Sequence, residues 1–62
     1  MDYRVVFTLD GAFEDVVIAE TLTDAKRKAN DLIQHENVGY AGVYDHQDHE
    51  VYQAFASERK PI

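Results

Sequence analysis

The stretch TDAKRKANDLIQHE, residues 23–36, decides the fold because it has the period of a helix and lies between segments that have the period of strands. Thr23 is predicted to cap the start of this helix, and Asn37 or Gly39 is predicted to end it. One narrow apolar stripe lies at helical spacing: Ala25, Ala29, Leu32 and Ile33. A single stripe of this width covers one face of a sheet.

The segments on either side of the helix are predicted to form two hairpins. Residues 3–9 alternate at period two and precede Asp10-Gly11, which is a strong turn signal, so residues 3–20 are predicted as the first hairpin. Residues 40–55 are predicted as the second hairpin, with a polar turn near its middle. The expected fold is an α+β domain, ββαββ, with a four-stranded, mainly antiparallel sheet and one helix packed on one face.

The helical connection also sets the directions of the strands. A helix antiparallel to both strands that it links makes the second and third strands point the same way. The two hairpin turns then lie at opposite ends of the sheet, roughly 23 Å apart for strands of about seven residues.

Length and composition restrict the class of protein. The 62 residues allow a single domain, 1–62, in which residues 57–62 are expected to form a short tail. The chain has no cysteine, and its longest apolar run, residues 16–19, is far shorter than a membrane span of about 20 residues. The N-terminus lacks the pattern of a secretory signal. We therefore expect a cytoplasmic protein without disulfides and without a membrane partner.

The charge balance favours a protein partner over nucleic acid. Twelve acids against six bases give a formal charge of −6, and residues 37–56 contain three acids and no lysine or arginine. Nucleic-acid binding needs a basic face that neutralises phosphates, so we expect a protein partner with a basic surface instead.

Two polar motifs contain residue types that can carry chemistry. His46 and His49 have the types and spacing of metal ligands, but in a turn this spacing does not fix the ring directions, and we expect no metal or other cofactor there. The basic triplet, residues 26–28, is interpreted as a solvated helix face with an Arg27–Asp31 pair. A third hypothesis is a nucleic-acid- or metal-binding module that uses the helix bases or the histidine turn. No activated nucleophile or phosphate-binding loop is recognisable, so an enzyme is not expected.

The sheet face away from the helix is the predicted binding surface, because one helix cannot cover both faces. Tyrosines suit interfaces, since their rings are apolar and their tips are polar. Two tyrosines are expected to act as hydrophobic anchors, and acids at the two hairpin ends are expected to contact basic groups of the partner. The candidate partner-binding residues are Asp10, Glu14, Asp15, Tyr44, Asp45, Asp48, Glu50 and Tyr52.

The helix opening TLTDAKRKA, residues 21–29, together with the size and architecture of the chain, resembles small phage and mobile-element proteins of the type I anti-CRISPR kind. This resemblance implies a non-enzymatic protein that binds a CRISPR effector complex in the host cell and blocks its target-DNA site. It implies no catalytic residue, since the family shares no catalytic motif. Relatives with this helix opening tend to be basic, whereas this chain is acidic.

The sequence therefore predicts a small inhibitor that binds the nucleic-acid groove of a host defence complex. The alternative is a structural or regulatory homodimer that associates through its open sheet face.

Overall fold

The computed structural model describes residues 2–9 and 13–56, which form one sheet of four strands and one helix. The elements in chain order are β1 Tyr3–Leu9, β2 Phe13–Ala19, α1 Leu22–Leu32, β3 Val38–Tyr44 and β4 Glu50–Phe55. The predicted α+β class and ββαββ order are confirmed. The predicted turn at Asp10-Gly11 and the tail 57–62 lie outside the described residues.

The strand order β2-β1-β3-β4 joins the two hairpins through their first strands. Each pair of neighbours is antiparallel, so the sheet is antiparallel throughout its described part. β2 and β3 are both antiparallel to β1 and point the same way, as predicted. The end of the first hairpin, at Leu9, and the turn of the second hairpin therefore lie at opposite ends of the sheet, and β2 and β4 are its edges.

The hydrophobic core lies between α1 and one face of the sheet. Alanines on both elements, Ala25 and Ala29 on α1 and Ala41 and Ala54 on the sheet, are fully buried between them. Among the described residues, ten form the buried cluster: Val5, Phe7, Ala19, Ala25, Ala29, Ile33, Val38, Ala41, Val43 and Ala54. The predicted helical stripe is buried at three of its four positions, whereas Leu32 is half-buried at the edge of the cluster.

The N-terminal cap of the helix lies two residues earlier than predicted, at Thr21 instead of Thr23. Thr21 has extended backbone dihedral angles (φ −126°, ψ 159°), and its hydroxyl accepts a hydrogen bond from the Asp24 backbone N–H at 3.1 Å. This is the contact that satisfies an orphan donor at a helix start. The prediction that Thr23 is the cap is therefore wrong, because Thr23 lies within the first turn.

The helix also ends earlier than predicted, at Leu32 rather than at residue 36. Beyond it, the His35 backbone N–H donates to the Leu32 carbonyl at 3.0 Å, in the tighter i to i+3 pattern that closes a helix. After a short turn, β3 begins at Val38, two residues before the predicted strand start. The burial of Val38 and its pairing with Leu9 explain why the chain enters the sheet there.

Candidate protein-binding surface

The sheet face opposite α1, called the open face below, combines exposed apolar groups with polar groups. Because Val5, Phe7 and Val43 point toward the helix, the alternate positions of each strand point away from it. Val16 is 48 % exposed and Ile18 is 52 % exposed on β2. The open face consists of Arg4, Val6, Thr8, Glu14, Val16, Ile18, Tyr40, Gly42, Tyr44, Glu50, Gln53 and Phe55.

A hydrogen-bonded network joins β3 to β4 on this face. The Tyr40 hydroxyl donates to one carboxylate oxygen of Glu50, and the Gln53 side-chain amide donates to the other. The Tyr40 ring lies over Gly42 and has its centroid 5.2 Å from that of Phe55. Burial, followed by the hydrogen bond to Glu50, raises the pKa of Tyr40 above its ordinary value. The same hydroxyl is the main cause that lowers the pKa of Glu50, so this carboxylate stays charged at neutral pH.

A second polar group lies where β1 meets the turn of the second hairpin. The Arg4 guanidinium forms an ion pair with Asp48, and its central carbon lies 5.8 Å from the centroid of the Tyr44 ring. These three residues and Val6 line an open depression of about 340 Å³. Hydrogen bonding to Glu50 raises the pKa of Tyr44. The predicted anchor Tyr44 therefore lies on the open face beside a paired charge.

Asp45 holds the turn of the second hairpin together. One oxygen of its carboxylate accepts hydrogen bonds from the backbone N–H groups of Gln47 at 2.8 Å and His49 at 2.9 Å. The bond from His49 is the main cause that lowers the pKa of Asp45. Asp48 follows with a left-handed φ of 65°, which a short polar side chain tolerates. Asp45 is therefore a turn-forming residue as well as a source of negative charge.

The histidines of this turn do not meet a set of metal ligands in the described part of the chain. His49 Nδ1 lies 4.0 Å from an oxygen of Asp45, and both His46 and His49 are exposed. No group of three histidine, aspartate or glutamate side chains suited to a metal ion occurs in residues 2–9 and 13–56.

The acids of the first hairpin lie at the other end of the sheet. Glu14 is on the open face, Asp15 is on the helix side of the same strand, and both are exposed. One oxygen of the Asp15 carboxylate accepts a hydrogen bond from the Val16 backbone N–H at 2.8 Å. Asp10 lies outside the described residues. Two groups of acids therefore stand at opposite ends, as the strand directions predict.

Tyr52 does not share a face with Tyr44. It pairs with Val43 on the helix side of the sheet, and its hydroxyl donates to the Asn30 side-chain oxygen at 3.0 Å. The Lys26 ammonium lies 5.5 Å from its ring centroid. Tyr52 is thus half-buried between β4 and α1, and the expectation that it is an anchor on the open face is wrong.

A β-bulge explains this division of the two tyrosines. The register shifts between Val43 and Tyr44, so that Glu50 rather than Val51 lies opposite Tyr44. The sequence pattern also did not single out Tyr40 and Phe55, which lie on the open face across from each other. The spacing of Tyr40 and Tyr44 could have indicated Tyr40, because residues four apart on a strand lie on the same face.

The basic triplet lies on the exposed surface of α1, on the far side of the sheet from the open face. Arg27 forms its ion pair with Asp24 at 3.4 Å and not with the predicted Asp31. This contact is exposed, so it contributes little to stability.

Comparison of the chain with protein families, curated proteins and solved structures gave no match. Among the described residues, no helix has the length and apolar character needed to span a membrane.

Proposed function

We propose that this protein is a small non-enzymatic domain that binds another protein through its open face, and that the partner presents a basic surface. The observation that carries this proposal is the sheet face that α1 leaves uncovered, where Val16, Ile18 and Phe55 are each more than 40 % exposed. Val16 and Ile18 are neighbours on β2, whereas Phe55 lies on the opposite edge strand β4. Exposed apolar groups with polar groups between them are typical of protein interaction sites.

The shape of this face fits a protein better than a small molecule. Small-molecule sites are deep clefts that enclose most of the ligand, whereas the depression at Arg4 and Tyr44 is open to solvent. Aromatic and arginine side chains are the residues that most often dominate binding energy at protein interfaces. Tyr40, Tyr44 and Phe55 supply such groups along β3 and β4.

The charge of the chain supports a basic partner. Glu14 stands at one end of the open face, and Glu50 stands at the other, next to the turn that contains Asp45 and Asp48. The net charge is −6, and among the described residues the base on this face is Arg4, which is already paired with Asp48. Such a field accelerates the approach of a positively charged surface and repels an acidic one.

In its sharper form, the proposal is that the protein inhibits a nucleic-acid-handling complex of the host, of the CRISPR type. The support is the resemblance of residues 21–29 and of the overall size and architecture to type I anti-CRISPR proteins, together with the acidic surface. A groove that binds DNA is lined with lysine and arginine. Carboxylates at two ends of a rigid sheet would occupy positions in that groove that phosphates otherwise take.

The test measures whether the protein prevents a purified type I CRISPR effector complex from binding labelled target DNA. We expect inhibition that weakens as salt rises. A Glu14→Gln/Asp15→Asn variant should associate more slowly with the complex and depend less on salt. A matched control, Asp24→Asn/Glu36→Gln, removes the same charge in and just after α1, away from the open face and β2, and should inhibit like the parent.

Two results would contradict parts of this proposal. Unchanged DNA binding at a large excess of protein rules out the CRISPR-type inhibitor. Equal effects of the two charge variants rule out the acidic end of β2 as part of the binding surface.

The alternative function is a homodimer that associates through the open face, and the exposure of Val16 and Ile18 on that face favours it. Sedimentation would then show a dimer that Val16→Asp or Tyr44→Asp dissociates. Tyr52→Asp is unsuitable for this test, since Tyr52 packs against α1 and its replacement would disturb the fold.

A further inference from the structure

We infer that β2 accepts an extended segment of the partner as an additional antiparallel strand, and that this segment contains β-branched apolar residues followed by lysine or arginine. This inference rests on the proposed binding of a basic protein and names the contact that such a partner makes. It places the contact at the edge of the sheet, next to the open face.

The outward side of β2 is identified by one hydrogen bond. The Val16 backbone N–H donates to the Asp15 side chain, so it does not take part in the ladder with β1. Backbone groups alternate along an antiparallel strand, and therefore the N–H and C=O groups of Glu14, Val16 and Ile18 point away from the sheet. Three outward residues can exchange hydrogen bonds with a strand laid beside them.

Apart from the carboxylates of Glu14 and Asp15 near its start, β2 lacks the features that usually protect an edge strand. All seven of its residues pair with β1 in one register, without a bulge. It contains no lysine and no proline in Phe13–Ala19. The opposite edge differs, because the pairing of β4 with β3 is interrupted by a register shift. A regular, apolar edge is a template for strand addition, and β2 is the better of the two edges.

Both faces beside β2 offer positions for the side chains of an added strand. On the open face, Val16 and Ile18 are about half exposed and would pack against alternate residues of the segment. On the helix side, a depression of about 200 Å³ lies beside Val17. It is lined by Val17, Lys28, Asp31, Leu32 and His35. An apolar side chain opposite Val17 would enter this depression.

Charge favours a basic segment over an acidic one. Glu14 and Asp15 lie together at one end of the strand, and Glu20 follows at the other end. A second copy of β2 that matched Val16 with Ile18 of its neighbour would place Glu14 opposite Glu20, and like charges directly opposite are destabilising. A segment with lysines opposite Asp15 and Glu14 has the complementary charge. Its ammonium groups would also draw the Asp15 carboxylate away from the Val16 N–H, which frees that donor for the ladder.

The probe is a blocked peptide, Thr-Ile-Val-Ile-Lys-Lys-Thr, titrated into the isotopically labelled full chain by NMR. In antiparallel register its two lysines lie opposite Asp15 and Glu14, and its two isoleucines lie opposite Val16 and Ile18. Two N-methylated versions provide a matched comparison. Methyl groups on the two isoleucines block the donors that face β2, whereas methyl groups on the valine and the first lysine block donors that face away.

We expect the isoleucine-methylated peptide to bind about tenfold or more weakly than the other version, since two backbone hydrogen bonds are lost. Binding of the unmodified peptide should also slow amide hydrogen exchange at Val16 and Ile18. Equal affinity of the two methylated peptides would overturn strand addition. If the two methylated peptides bind equally and their binding weakens with salt, the proposed attraction to a basic partner is retained and only strand addition is rejected. Failure of all three peptides to bind, or a dimer of the free chain that they do not dissociate, would also overturn the inference.

Discussion

Replacing Gly42 by alanine tests the Tyr40–Glu50 network that orders the open face. A Cβ atom built on Gly42 lies 2.6 Å from a Glu50 carboxylate oxygen and 3.0 Å from the Tyr40 ring carbon that bears the hydroxyl, and it also overlaps that hydroxyl. Both separations are below ordinary van der Waals contact. The Gly42→Ala variant must therefore displace the Tyr40 ring and the Glu50 side chain from each other.

The expected change in the free energy of unfolding of Gly42→Ala is the sum of opposing contributions. Losing a hydrogen bond to a charged group costs about 1.5–3 kcal/mol, and the displaced side chains add strain. Removing a glycine from the unfolded chain returns about 0.4–1 kcal/mol. The net loss is about 2 kcal/mol, a large share of the roughly 3–9 kcal/mol expected for a domain of this size. It corresponds to a fall in Tm of about 8–16 °C.

Gly39→Ala is the matched control in the same strand. A Cβ atom at Gly39 comes no closer than 3.7 Å to the Thr8 hydroxyl, which is an ordinary contact. Thermal unfolding should show Gly39→Ala at or above the parent Tm and Gly42→Ala well below it. The ultraviolet titration of the phenols should show the raised pKa of Tyr40 returning toward its ordinary value in Gly42→Ala. A Gly42→Ala protein that melts like Gly39→Ala, with an unchanged titration, would refute the network.

Three further predictions concern the core, the helix cap and the response to acid. Ile33→Ala should lower the free energy of chemical unfolding by about 2–5 kcal/mol, because Ile33 is 1 % exposed. Leu32→Ala should lower it by about 1–2 kcal/mol, because Leu32 is half-buried. Equal losses would contradict the packing. Thr21→Ala should lower the unfolding free energy by about 1 kcal/mol and Thr23→Ala should leave it within a few tenths, so the reverse order would restore Thr23 as the cap. The lowered pKa of Glu50 contributes stability that is present above the ordinary glutamate value of 4.5 and is lost as pH falls through the folded-state pKa. The Tm of Glu50→Gln should therefore fall less than that of the parent on acidification below pH 4.5, and parallel curves would disprove the linkage.

Much of the fold could be predicted because its signals are local. The alternation of residues 3–9 and the spacing of Ala25, Ala29 and Ile33 each reflect which face of one element is buried. The strand directions followed from the helical connection alone. The ends of the helix were less predictable, because Thr21 and Thr23 are chemically equivalent caps and only the packing of the first turn distinguishes them.

The candidate site was predicted less completely than the fold. Acids at both ends of the sheet were expected, but the contacts of each carboxylate were not. Asp45 closes its own turn, Asp48 pairs with Arg4, and Glu50 binds Tyr40. These partners come from other strands or from the exact path of a turn, which a one-dimensional pattern does not specify. Charge substitutions in the second hairpin therefore remove internal hydrogen bonds as well as surface charge.

The sequence by itself determined the order of elements, the apolar stripe of the helix, the acidic charge and the presence of two hairpins, because each depends on the period or composition of a short segment. Only the tertiary structure decided that β1 and β3 are neighbours, that β2 is a regular exposed edge, and that Tyr44 and Tyr52 lie on opposite faces. The physical reason is that side chains alternate with a period of two, so one bulged residue exchanges the faces of everything beyond it. The position of this bulge is a property of the pairing between β3 and β4, and therefore of contacts between two strands and not of the pattern within one.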